Sequence, residues 1–219
     1  MDCIVSLQFI YVCTIQLRLG TAKKRAQQSS LDALYSLFTA APDHADRLVR
    51  DSLPNLRGIL RQEGQVVGVY EKALRLLEIV RQSPHSVIIK SGIVVDLVGW
   101  LRQVRSPVDS DTSYNTDDPC SRRHSITDEK CKKYVFNICQ LIAQNSDDGR
   151  QALDNADILA ELHYLVSSQK AIEVISACKI LKALAHTGTF RKAIITAGFK
   201  EAMGDITRYN FSAFSRLII

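Results

Sequence analysis

The chain has 219 residues, with 46% hydrophobic and 23% charged side chains, the balance of an ordinary folded domain with ample material for a core. Only 10 Gly and 5 Pro argue against an all-β fold, which needs many tight turns. A net charge of +5 is mild, so it admits acidic partners without demanding nucleic acid.

At the start, residues 3–17 are apolar, but Asp2 stands where an export signal carries basic side chains. Ser6, Gln8, Thr14 and Gln16 break the run, which is short for a membrane span of roughly 20 residues. Residues 1–24 are therefore expected to form an apolar helix or cap packed on the rest of the fold. Further along, Val69, Ala73, Leu76, Leu77 and Val80 fall on one helical face. So do Val135, Ile138, Cys139 and Ile142, and Ile172, Ile175, Leu181 and Leu184 recur at near-helical steps.

Between these long stretches sits a recurring short motif. Arg150-Gln151-Ala152-Leu153, running on to Ala156-Asp157-Ile158, returns 41 residues later as Arg191-Lys192-Ala193-Ile194 and Ala197-Gly198-Phe199. Ser91-Gly92-Ile93 looks like the same turn, and Asp51-Ser52-Leu53, followed by Pro54 at a first helical position, is a fainter copy. A period of this length signals stacked helical units. Each unit reads as a short helix, a turn, a second helix and a longer third helix. Gly in the turn suits a sharp reversal through positive φ. The Ser91 turn lies 65 residues before its successor, one unit plus 24 extra. That surplus maps to a polar, Pro-containing insertion at 106–126, expected to be a mobile loop.

These segments resemble the armadillo repeat family, above all in Arg150–Leu165 and Arg191–Met203. The resemblance implies an all-α, right-handed α-solenoid of about four armadillo-like repeats with incomplete ends, over residues 25–219. It also implies that third helices line a concave groove. Armadillo proteins that bind nuclear-localisation peptides place Trp and Asn in a ladder along that groove. Here Asp32, Leu74, Asn137 and Lys179 fill the first slot, and Ser36, Glu78, Leu141 and Ala183 the second. Without the planar amides that clamp a peptide backbone, import-receptor function is not expected. These eight residues are the candidate partner-binding groove. The apolar end, Phe211 to Ile219, reads as an unfinished third helix, or as an edge for homotypic or heterotypic docking.

The remaining chemistry is sparse. Arg122-Arg123-His124-Ser125 matches a basophilic kinase site, making Ser125 a candidate phosphosite; Ser125 or Thr127 could also cap the next helix. Cys120, His124 and Cys131 lack the tight pairs and fourth ligand of a zinc site, so no metal and no cofactor is expected. No phosphate loop, nucleophile elbow or His-Glu-x-x-His is present, and the histidines have no catalytic partner nearby. The 6 cysteines form no disulfide framework, and Cys139 and Cys178 read as core. The expected protein is a non-enzymatic, intracellular scaffold, cytoplasmic or nuclear, binding a protein partner. The alternative is nucleic-acid or anionic-membrane binding through basic faces such as Arg47, Arg50, Arg57 and Arg61.

Overall fold

A computed structural model describes residues 7, 11, 24–40, 45–61, 67–79, 85–105, 119–168 and 170–199. The bulk of the N-terminal segment, insertion residues 106–118 and the chain after 199 lie outside the described residues. So do the expectations of an N-terminal cap and a C-terminal docking edge. Among the described residues there are ten helices and no strand. They are α1 (Lys24–Ala40), α2 (Ala45–Arg61), α3 (Val67–Ile79), α4 (His85–Lys90), α5 (Ile93–Arg105), α6 (Pro119–Asn145), α7 (Asp147–Asn155), α8 (Ile158–Val166), α9 (Ala171–Leu184) and α10 (Gly188–Thr196).

Neighbouring units stack like on like. The long third helices pack in the order α1, α3, α6, α9, and the second helices in the order α2, α5, α8. First helix α4 lies against first helix α7. The product is an all-α solenoid with one continuous core, because a single unit cannot cover its own apolar stripe and must lend it to the next. Val69, Ala73, Leu76, Val135, Cys139 and Ile142 are all buried in that core, as their helical spacing predicts. Ile172 departs from the prediction and is 68% exposed. On α9 the buried stripe runs instead through Val174, Ala177, Cys178, Leu181 and Leu184, so Ile172 falls on the open side.

The turns explain the repeat. Gly92 (φ 74°), Asp157 (φ 63°) and Gly198 (φ 77°) all adopt the left-handed conformation the sequence predicts at this step. Each is followed by a buried apolar residue: Ile93, Ile158 and Phe199. The fainter copy at Asp51-Ser52-Leu53 is not a turn. Helix α2 runs unbroken from Ala45 to Arg61 with Pro54 inside it. No glycine is present there to reverse the chain, so the first and second helices fuse, and Pro54 forfeits one backbone hydrogen bond. Two further polar atoms of α2, Ser52 Oγ and Asn55 Nδ2, are buried without a partner.

The repeated arginine has a structural job as well. Arg150 Nη1 donates to the Ala143 carbonyl at 2.6 Å, in the last turn of α6, and its other nitrogens reach Asp147 at 3.1 and 2.5 Å. Arg191 repeats the contact on the Ala185 carbonyl just past α9, at 3.3 and 3.4 Å. In both units a guanidinium therefore meets the unpaired carbonyls at the negative end of the preceding third helix. Ser146 caps α7 by accepting from the Gly149 N–H at 2.9 Å. Gly149 itself is required, since a Cβ there would collide with the Ile142 carbonyl oxygen.

The insertion ends earlier than expected. Helix α6 begins at Pro119, so residues 119–126 are helical backbone. Ser125 and Thr127 lie well inside that helix, and neither is its N-cap. Proline, at home in a first helical turn, opens α6 instead.

Candidate functional site

The third helices present a continuous face. On α1 the open positions include Arg25, Ser29, Asp32 and Ser36; on α3, Glu71, Arg75 and Glu78; on α6, Lys130, Lys133 and Asn137; on α9, Ile172, Ser176 and Lys179. Steps of three and four keep each set on one side of its helix.

Polar contacts cross from helix to helix along this face. Lys72 donates to Asp32 at 2.5 Å and Arg75 to the Tyr35 hydroxyl at 2.8 Å, both across 40 residues. Arg75 also lies 4.1 Å from the centre of the Tyr35 ring, a cation–π contact. Asn137 donates to Glu78 at 2.7 Å across 59 residues, and Lys130 lies 4.0 Å from Glu71. Between α6 and α9, Lys132 donates to Glu173 at 2.8 Å across 41 residues, and Lys170 lies 3.6 Å from Glu129. Each helix pair thus keeps a single register, and the longer separation spans the insertion. A cleft of about 170 Å³ opens between α1 and α3, lined by Leu31, Asp32, Tyr35, Gly68, Glu71, Lys72 and Arg75.

The eight candidate groove residues divide. Asp32, Ser36 and Lys179 are exposed, and Glu78, Asn137 and Leu141 are half-buried. Glu78 and Asn137, placed in different slots from sequence, are bonded to each other. Leu74 (0% exposed) and Ala183 (3%) are core residues, so neither offers its side chain to a partner. Leu74 on α3 lies between third helices α1 and α6, and Ala183 on α9 turns into the shared apolar core, so positions one step off the open stripe are buried. Tyr35, Arg75 and Tyr134 are the residues that sequence reasoning passed over. Their signal was the 40-residue pairing of Tyr35 with Arg75, visible only once the register is known.

Electrostatics mark two spots. Burial alone would raise the Glu173 pKa, but hydrogen bonds from Lys132 and Ser168, with the charges of Lys132 and Lys170, hold it below its ordinary value. Tyr134 is pushed up, chiefly by burial; Arg75 opposes the shift, and Glu71, Glu78 and Cys131 add to it. Burial also drives the Cys139 thiol up to about 12 and Cys178 to about 11, so both are packing groups with little thiolate at neutral pH.

The second helices carry a ladder of their own. Arg57 and Arg61 share Asp96, at 2.5 and 2.7 Å, and Arg102 donates to Glu161 at 2.9 Å. Arg57 also reaches the Ser91 carbonyl at 2.6 Å, passing so close to Gly92 that a Cβ there would meet its guanidinium. Two of the four arginines expected to form a basic patch are therefore held on one carboxylate, which offsets one of their two charges. Among the described residues, no group of three His, Cys, Asp or Glu side chains is gathered to hold a metal. No helix among them is long and apolar enough to cross a membrane. Ser125 lies in the part of α6 whose side chains fall outside the described residues.

No protein-family model and no curated protein matches the sequence. Solved structures do match. A designed armadillo repeat protein in complex with the peptide (KR)4 aligns over 94% of this chain and 77% of its own, with TM-score 0.70 and 14% identity. Computationally designed armadillo repeat proteins for modular peptide recognition align over 85% and 69%, with TM-score 0.64 and 18% identity. The fold is armadillo-like. An engineered protein of 17% identity, covering 94% of this chain and 76% of its own, gives TM-score 0.68. At such identities the likeness is one of architecture.

Proposed function

We propose that this protein is a non-enzymatic scaffold that binds a partner protein along its third-helix face. The observation that carries the reading is the continuity of that face: open polar side chains run from Asp32 to Lys179 across four helices held in register by bonds between units. A surface of fixed spacing suits an extended partner segment, and two of the similar solved structures are designs for peptide binding. Asp96 offsets one of the two charges of Arg57 and Arg61 and fixes both side chains, which weakens the alternative of nucleic-acid or anionic-membrane binding through that basic helix face. The buried thiols of Cys139 and Cys178 suit a reducing interior compartment, cytoplasmic or nuclear.

A photo-crosslinking amino acid placed singly at Ser36, Asn137 or Lys179 tests the proposal in the full chain, with Asp154 on α7 as the outer control. The expected result is a protein adduct from the third-helix positions and none from Asp154. Equal adducts from all four positions would sink the reading. Capture that collapses steeply with salt and yields nucleic acid would favour the alternative.

A further inference from the structure

The third-helix face is electrically lopsided. On α1 and α3 its charges balance: Lys72 pairs with Asp32, and the open Arg25 and Arg75 are matched by Glu71 and Glu78. On α6 and α9 they do not. Lys132 and Lys170 are held by Glu173 and Glu129, and Lys130 has only a share, at 4.0 Å, of the Glu71 already set against the α1–α3 arginines. That leaves Lys133, Lys179 and Lys182 exposed, and none of the three forms an ion pair or other polar contact among the described residues. Beside them Ile172, 68% exposed, shares one stripe of α9 with Ser176 and Lys179 at steps of four and three.

We propose that the α6–α9 half of this face receives an extended, acidic segment of a partner protein, with an apolar side chain of that segment resting on Ile172. The proposal rests on the third-helix reading above and gives it a chemistry. Adjacent helix axes lie about 8–10 Å apart, and a chain in the extended polyproline II conformation advances about 3.1 Å per residue with about three residues per turn, so every third side chain shares one side. Carboxylates about three residues apart can therefore meet Lys133 on α6 and Lys179 on α9 in turn. The polarity is opposite to that of (KR)4, the ligand of one similar design. A polyanionic nucleic acid is less well matched, because stacking platforms are missing: Tyr134, the one aromatic on the open side of α6, is half-buried, and the described part of α9 has none.

Fluorescence anisotropy on the full chain tests this with a labelled peptide of glutamates spaced by Ser-Leu, its lysine-for-glutamate counterpart, (KR)4 and oligouridylate. The glutamate peptide is expected to bind, and the variant Lys133→Glu/Lys179→Glu/Lys182→Glu to weaken it about tenfold or more. The Lys→Gln triple variant should weaken it less, Ile172→Ser should also weaken it, and Lys90→Glu on α4 should leave it unchanged. Circular dichroism of each variant verifies that the fold is intact. No glutamate-peptide binding, equal or tighter binding of either lysine-containing peptide, tighter binding of oligouridylate, or indifference to the triple charge reversal overturns the proposal. If (KR)4 binds at least as tightly as the glutamate peptide and Glu71→Lys/Glu78→Lys abolishes it, the acidic partner fails while the third-helix reading stands. If the glutamate peptide is lost only on Lys90→Glu, both fail.

Discussion

Arg150 shows how one side chain can account for a repeated letter. Its guanidinium closes the last turn of α6 through Ala143 and braces the first turn of α7 through Asp147, with only 11% of the side chain exposed. Arg150→Met keeps the volume and removes the charged hydrogen bonds, so urea denaturation should show a loss of about 1–3 kcal/mol. Arg191→Met, whose contacts are longer and more exposed, should cost less by the same assay. Asp157 is the other informative residue, a non-glycine at positive φ in a position that Gly92 and Gly198 fill elsewhere. A β-branched side chain cannot take that conformation without strain, so Asp157→Val should be about 1–2 kcal/mol less stable than Asp157→Gly. Equal stabilities would show that the turn relaxes to negative φ. The arginine and the turn were both legible in the sequence, because each is a local device that recurs with the repeat.

Between elements, the α6–α9 seam holds a polar cluster near the core. Glu173 sits there with Lys132, Ser168 and Lys170 around it, and its depressed pKa links the seam to pH. A carboxyl that titrates lower when folded contributes stability fully above its unfolded value of about 4.3, and loses it as pH falls through the folded value. Thermal melts of the wild type should therefore drop in Tm on acidification below about pH 4.5, in the range where that carboxyl takes up its proton. Glu173→Gln should start from a lower Tm near neutrality and show a shallower acid drop. Parallel acid limbs would place the sensitivity elsewhere. The seam was illegible from sequence, because a 41-residue pairing of lysine with glutamate looks like any other pair of surface charges until the helices are docked. The fused helix α2 departs from the expected turn for a local reason. A serine two residues ahead of a proline resembles a turn, yet only a residue that accepts positive φ, as in the other three copies, reverses the chain there.

Across the whole molecule the stack is held mainly by its shared apolar core, with the polar ladders setting register. Most of the ion pairs between units have at least one well-exposed partner, and such pairs are worth little and are screened by salt. Raising NaCl from low to molar concentration should thus change unfolding stability by less than about 1 kcal/mol, read from urea midpoints. A larger loss would mean that the ladders carry the stack. From sequence alone came the all-α class, the unit of about 41 residues, the reversing turns and the repeated arginine, each written in residues a few steps apart along the chain. Tertiary structure alone decided which third-helix residues remain open and which disappear between neighbours. Leu74 and Asp32 occupy equivalent slots, yet one is buried and the other exposed. Burial depends on how closely the adjacent helices approach and in what register, and that is set by packing between units far apart in the chain.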